Sequence, residues 1–112
     1  MEPERARELL GQARERIEQE IKRLLPGVGD EELSHIDQHL GDAGTELFEN
    51  ERDAGLANRL RDDLAAVGRA EKRLEEGTYG VSVQSGQPIP DERLAAIPWA
   101  ERTVDEQARF NG

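Results

Sequence analysis

The chain has no cysteine, and only one tryptophan, one tyrosine and two phenylalanines among its 112 residues. Without cysteine there can be no disulfide and no thiolate metal site, a usage that fits a reducing compartment. With so few aromatics, and 35% hydrophobic against 36% charged residues, the chain cannot bury a large core. No apolar run approaches the ~20 residues of a membrane span, and the opening MEPERARELL lacks the apolar centre of a signal peptide. A cytoplasmic location is therefore expected. Basic residues are also in deficit, 15 against 25 acidic ones for a net charge of −10. That balance argues against direct binding to nucleic acid. What remains suits one small domain of long, solvated helices.

The acidity is local. Residues 24–51 hold eight acids (Asp30, Glu31, Glu32, Asp37, Asp42, Glu46, Glu49, Glu51) and no Lys or Arg, so this stretch carries −8 of the −10. On either side the hydrophobic spacing is helical. Ala6, Leu10, Ala13, Ile17, Ile21 and Leu24 recur at steps of three and four, starting near Pro3 and stopping at Pro26-Gly27. Ala57, Leu60, Leu64, Val67 and Leu74 form a second stripe in a helix expected over 45–76, with Glu71 at the missing heptad position. Two such narrow-faced helices are expected to pair as a long antiparallel hairpin, a coiled coil over 1–76. At 1.5 Å per residue, a helix of ~23 residues would hold the connecting segment ~35 Å from the base of that hairpin. The connection, PGVGDEELSHIDQHLGDAG, contains most of the acids. A long charged connection adds no core, which makes the tip at about 26–45 a functional candidate; the competing reading is a merely solvated face. Within it His35 and His39 lie four apart, with Asp42 near by. They lack the framework that fixes metal geometry, so partner contact or exposure is the better reading.

After Gly77 the period changes. TYGVSV alternates as a strand does, QSGQ reads as a turn, and Pro88-Ile89-Pro90 breaks any ladder. Asp91 is a candidate cap for a short helix ending before Pro98, and Thr103 opens a final one. Two pairs of positions with C-x2-C spacing stand in this region, Ser82 with Ser85 and Thr103 with Glu106. Four cysteines at these places would make a structural zinc site. Three hydroxyls and one carboxylate cannot replace four thiolates, so no zinc and no other cofactor is expected. Thr103-Val104-Asp105-Glu106 reads instead as a capping box, and Ser82 and Ser85 as hydrogen-bonding partners of their own turn. The alternative is sequence drift in a decaying module.

The run Glu76-Gly77-Thr78-Tyr79-Gly80, the first spaced pair, Gly86, Ile89, Arg93-Leu94, Ala96, Pro98, Ala100, the second spaced pair and Gln107 resembles the zinc-finger signature of the DksA/TraR family. Upstream, DAGTELFE at 42–49 resembles the acidic coiled-coil tip of that family. The resemblance extends over about 37–107. It implies a mainly α fold, with a helical hairpin followed at 77–112 by a small zinc-ribbon-like module (a short β-hairpin plus a helix) that has lost its metal. On this likeness Ser82, Ser85, Thr103 and Glu106 are the former zinc-ligand positions. It also implies a transcription regulator that binds RNA polymerase, its coiled coil entering the secondary channel as in the similarly shaped Gre factors. At the tip, Asp42 followed by Ala43 matches the second of the family's two aspartates, His39 falls where the first belongs, and Asp37 is the stand-in. Asp37, Asp42 and Glu46 are thus the expected partner-contacting acids, and the departure at His39 leaves a nucleotide-alarmone co-regulator open.

No nucleophile paired with a base and no phosphate-binding glycine loop is evident, so the chain is not expected to be an enzyme. A second function class remains in view, an acidic adaptor that binds another basic protein and keeps the family frame only as scaffold.

Overall fold

The computed structural model describes residues 1–24 and 51–111, with the side chains of 51–54 excepted. Four helices occur among these described residues: α1, Pro3–Leu24; α2, Glu51–Glu76; α3, Asp91–Ala96; and α4, Val104–Asn111. The chain divides into two compact units, one of Met1–Ala13 with Ala66–Gly112 and the other of Arg14–Ala65. The first turns of α1 thus share a unit with the last turns of α2, and the last turns of α1 share the other unit with the first turns of α2.

Helix α1 forms where its periodicity predicts. Glu4 lies in its first turn and Lys22 and Arg23 in its last, each sign set against the helix dipole. Arg5–Glu8 at 3.4 Å, Arg14–Glu18 at 3.5 Å and the Arg23–Glu20 pair line its outer surface. Exposed pairs of this kind contribute only a few tenths of a kcal/mol each, roughly. Burial of the apolar stripe therefore carries the stability.

In the unit Arg14–Ala65 the buried apolar residues, among those described, are Ile17, Ile21, Ala57, Leu64 and Ala65. In the other unit Ala6, Leu10, Ala13, Ala66, Val67 and Ala70 are buried. Ala70 is fully buried while Glu71 is half-buried, so the alanine fills the core place that heptad counting gives to the acid. A step of three from Val67 and of four to Leu74 keeps the stripe on one face without burying a carboxylate.

The end of α2 is a Schellman motif. Gly77 takes φ 80°, and the N–H of Thr78 donates to the Arg73 carbonyl at 2.9 Å and that of Gly77 to the Leu74 carbonyl at 3.3 Å. Beyond it a second small core gathers Ile89, Leu94 and Ala100, with Met1, Tyr79 and Ile97 packed against them. The Tyr79 hydroxyl donates to the Pro98 carbonyl at 2.8 Å, so its polar end is satisfied where its ring is covered.

Two local expectations are corrected. The short β-hairpin is reduced, among the described residues, to one isolated antiparallel bridge between Val81 and Pro88. Pro88 has no N–H to extend a ladder, and the alternation in TYGVSV marks the opposite face from the apolar one. Ser82 is buried at 3% exposure, while Val81 and Val83 stand at 36% and 48%. Nor does Asp91 cap α3. Pro90 is the N-cap and no side chain bonds the helix start; Asp91 lies in the first turn and pairs at 2.9 Å with the Met1 amine.

Candidate functional site

Of the residues singled out from the sequence, Asp37, Asp42 and Glu46, together with His35 and His39, lie outside the described residues. The four spaced positions lie within them, all in the unit that contains the end of α2. Gly86, at φ 74°, closes the turn that carries the first pair, its N–H donating to the Ser82 carbonyl at 2.9 Å. Inside this turn the Ser82 hydroxyl oxygen accepts from the N–H of Gln84 at 3.1 Å and of Ser85 at 3.2 Å. The Ser85 oxygen accepts from the Gln87 N–H at 3.3 Å. The serines thus take up backbone donors that the tight turn leaves free.

The second pair caps α4. Thr103 donates its N–H to Glu106 Oε1 at 3.0 Å, and Thr103 Oγ1 accepts the Glu106 N–H at 3.3 Å, the reciprocal box that T-x-x-E spacing encodes. The Ser85 hydroxyl, the Thr103 N–H and the Ser82 hydroxyl, in that order of effect, hold the Glu106 carboxyl at about 2, well below its ordinary 4.5. Glu106 is only 6% exposed. A buried carboxylate is tolerated here because its lone pairs are occupied by donors.

These residues do not suit the zinc that the family frame implies. Three of the four carry neutral hydroxyls, and the single carboxylate is already engaged by hydrogen bonds. Among the described residues no group of three or more His, Cys, Asp or Glu side chains could hold a metal ion.

A second constellation anchors the turn to α2. Arg69 reaches Glu101 with Nε at 3.1 Å and a terminal nitrogen at 2.9 Å, and Arg73 adds a contact at 3.3 Å. Burial pushes the Glu101 carboxyl up, but the Arg69 hydrogen bonds and the charges of Arg69, Arg73 and Arg102 outweigh it and the net shift is downward. The Glu101 carbonyl accepts the Val83 N–H at 2.9 Å, and the Arg102 carbonyl accepts Arg93 Nε at 2.8 Å. Arg102 lies 3.9 Å over the Phe110 ring, a cation–π contact. None of these links has a sequence signature, because their partners are far apart in the chain.

No family model matches the chain. General stress protein 16O of Bacillus subtilis is 42% identical over 78 residues, 69% of this chain and 48% of that protein. YteA, an uncharacterized protein of the same organism, is 46% identical over 69 residues, 62% of this chain and 29% of its own length. The chain thus spans about half or less of these relatives. The RNA polymerase-binding transcription factor DksA of Caulobacter vibrioides is 28% identical over 96 residues, 86% of this chain and 66% of that one. Among solved structures, the RNA polymerase binding protein and transcriptional regulator Dks of Chlamydia trachomatis is 32% identical, with 75% of this chain and 92% of that chain covered and a TM-score of 0.41. The four spaced positions follow the second long helix of this chain, within the stretch that carries the family signature. The chain is a DksA/TraR-like family member, in which none of those four positions is cysteine.

Proposed function

We propose that the chain is a non-catalytic regulator of bacterial transcription that binds RNA polymerase itself. In this reading the acidic segment between α1 and α2 enters the secondary channel, and Asp37, Asp42 and Glu46 approach the active-site region. The observation that carries it is the charge map, in which the segment joining the two long helices holds seven acids and not a single Lys or Arg. A negative segment so placed is drawn to basic channel walls and bound magnesium, and is repelled by nucleic acid. The reading is further supported by the names of the DksA and Dks relatives, which are polymerase-binding proteins. Among the described residues no helix is long and apolar enough to cross a membrane.

The test is capture of purified core polymerase by the chain, followed by transcription in vitro with and without it. Binding is expected in the presence and in the absence of promoter DNA, together with a change in transcript yield. Replacing Asp37, Asp42 and Glu46 together with alanine should abolish that change. Failure to bind polymerase under either condition overturns the proposal and favours the adaptor.

A further inference from the structure

Helix α2 carries a second face in its last turns. At 3.6 residues per turn, Ala70, Ala66, Arg73 and Arg69 follow one another round the helix, beginning beside Val67 and leading away from the apolar stripe. Ala66 and Ala70 are buried, and Arg69 and Arg73 both reach the carboxylate of Glu101, in the C-terminal module. Alanine side chains allow close approach but bury little apolar area. The charged contact is therefore what fastens this face to the module.

Glu101 faces two ways. Its carboxylate serves α2, accepting from Arg69 at 3.1 and 2.9 Å and from Arg73 at 3.3 Å. Its carbonyl serves the module, accepting the Val83 N–H at 2.9 Å. The bonds that hold the module together do not pass through that carboxylate. Ile89, Leu94 and Ala100 form the small core, the Tyr79 hydroxyl reaches the Pro98 carbonyl, and the capping box closes the start of α4. We propose that Glu101 is a latch: ionised and unscreened it holds the C-terminal module on α2, and when its charge is removed or screened the module comes away still folded. The Arg69 side chain is half exposed, so dissolved ions reach the pair, and a charge pair open to water weakens with salt. A second fastening, at the head of α1, has the same polarity, since the Met1 amine pairs with Asp91 of the module at 2.9 Å. The latch operates whatever partner the protein has.

The chain has no cysteine, so spin labels can be attached at two introduced ones, Lys72→Cys on α2 and Gln87→Cys in the module, both at exposed positions. The distance between the labels is read in the full chain with and without Glu101→Gln, at low and at molar salt. With Glu101 intact and low salt, one narrow distribution is expected. It should broaden toward longer distances in Glu101→Gln and, with Glu101 intact, at molar salt. It should become narrow again when Glu101→Arg is combined with Arg69→Glu and Arg73→Glu. Amide exchange of Gln107, whose N–H donates to the Thr103 carbonyl at 2.9 Å, should not change in any of these, which shows that the module stays folded. A distribution that stays narrow under either treatment overturns the proposal. Broadening accompanied by faster Gln107 exchange also overturns it, since the module then unfolds instead of detaching. A reversed pair that leaves the distribution broad assigns Glu101 a packing role and overturns it as well. Should Glu101→Gln fail to fold, the salt series with Glu101 intact decides alone.

Discussion

Replacing Thr103 with alanine removes the hydroxyl that accepts the Glu106 N–H at 3.3 Å. A lost N-cap of this type costs about 1 kcal/mol, so urea unfolding of Thr103→Ala should show a loss of that order. Glu106 also sets a pH dependence. Its carboxyl ionises at about 2 in the folded chain against an ordinary 4.5. Between those values the unfolded chain binds more protons than the folded one, so stability rises with pH across this window. Its contribution is complete above about 4.5 and disappears as pH falls toward about 2. Trp99 fluorescence in a urea series at pH 7, 5, 4 and 3 should show a constant midpoint down to about pH 5 and a decline below it; a midpoint still flat at pH 3 contradicts the depressed carboxyl. The capping box was legible because its partners stand three residues apart. The influence of the two serines on the same carboxyl was not, since spacing within a motif says nothing of a group on another segment.

Helix α2 places two demands on its sequence that single substitutions can separate. Leu64 is fully buried, and truncation to alanine should cost about 2–5 kcal/mol, read as a lower urea midpoint with an unchanged slope. Gly77 holds φ 80° with nothing within 4 Å of where a Cβ would stand. Gly77→Ala should therefore cost only the left-handed backbone, about 1–2 kcal/mol. A neutral effect would mean that the Schellman turn is not maintained in solution. The two long helices were readable because apolar residues three and four apart can be buried in few other ways. The expected β-hairpin fails for a related reason. Alternation reports a two-faced segment but not which face is inward, and here the inward face belongs to Ser82. The clasp of Arg69 and Arg73 on Glu101 was invisible beforehand, because charged residues on a helix are equally consistent with solvent.

At the scale of the molecule, the proposed function assigns folding and partner binding to different parts of the sequence. Among the described residues the buried apolar side chains lie on α1, α2 and the C-terminal module, while the uncompensated charge lies in the sequence that joins the long helices. The variant with Asp37, Asp42 and Glu46 all changed to alanine should accordingly melt no lower than the parent, since it relieves like-charge repulsion and removes nothing from the described core. Its affinity for polymerase should fall and depend less on salt. A drop in melting temperature would instead assign these acids a structural role.

The most direct measurement is site-specific photo-crosslinking from position 42 in a complex with core RNA polymerase. Crosslinks to the walls of the secondary channel that disappear when the channel is blocked are expected. Crosslinks to the outer surface of the enzyme alone, or a complex in which position 42 reaches no polymerase subunit, would contradict it.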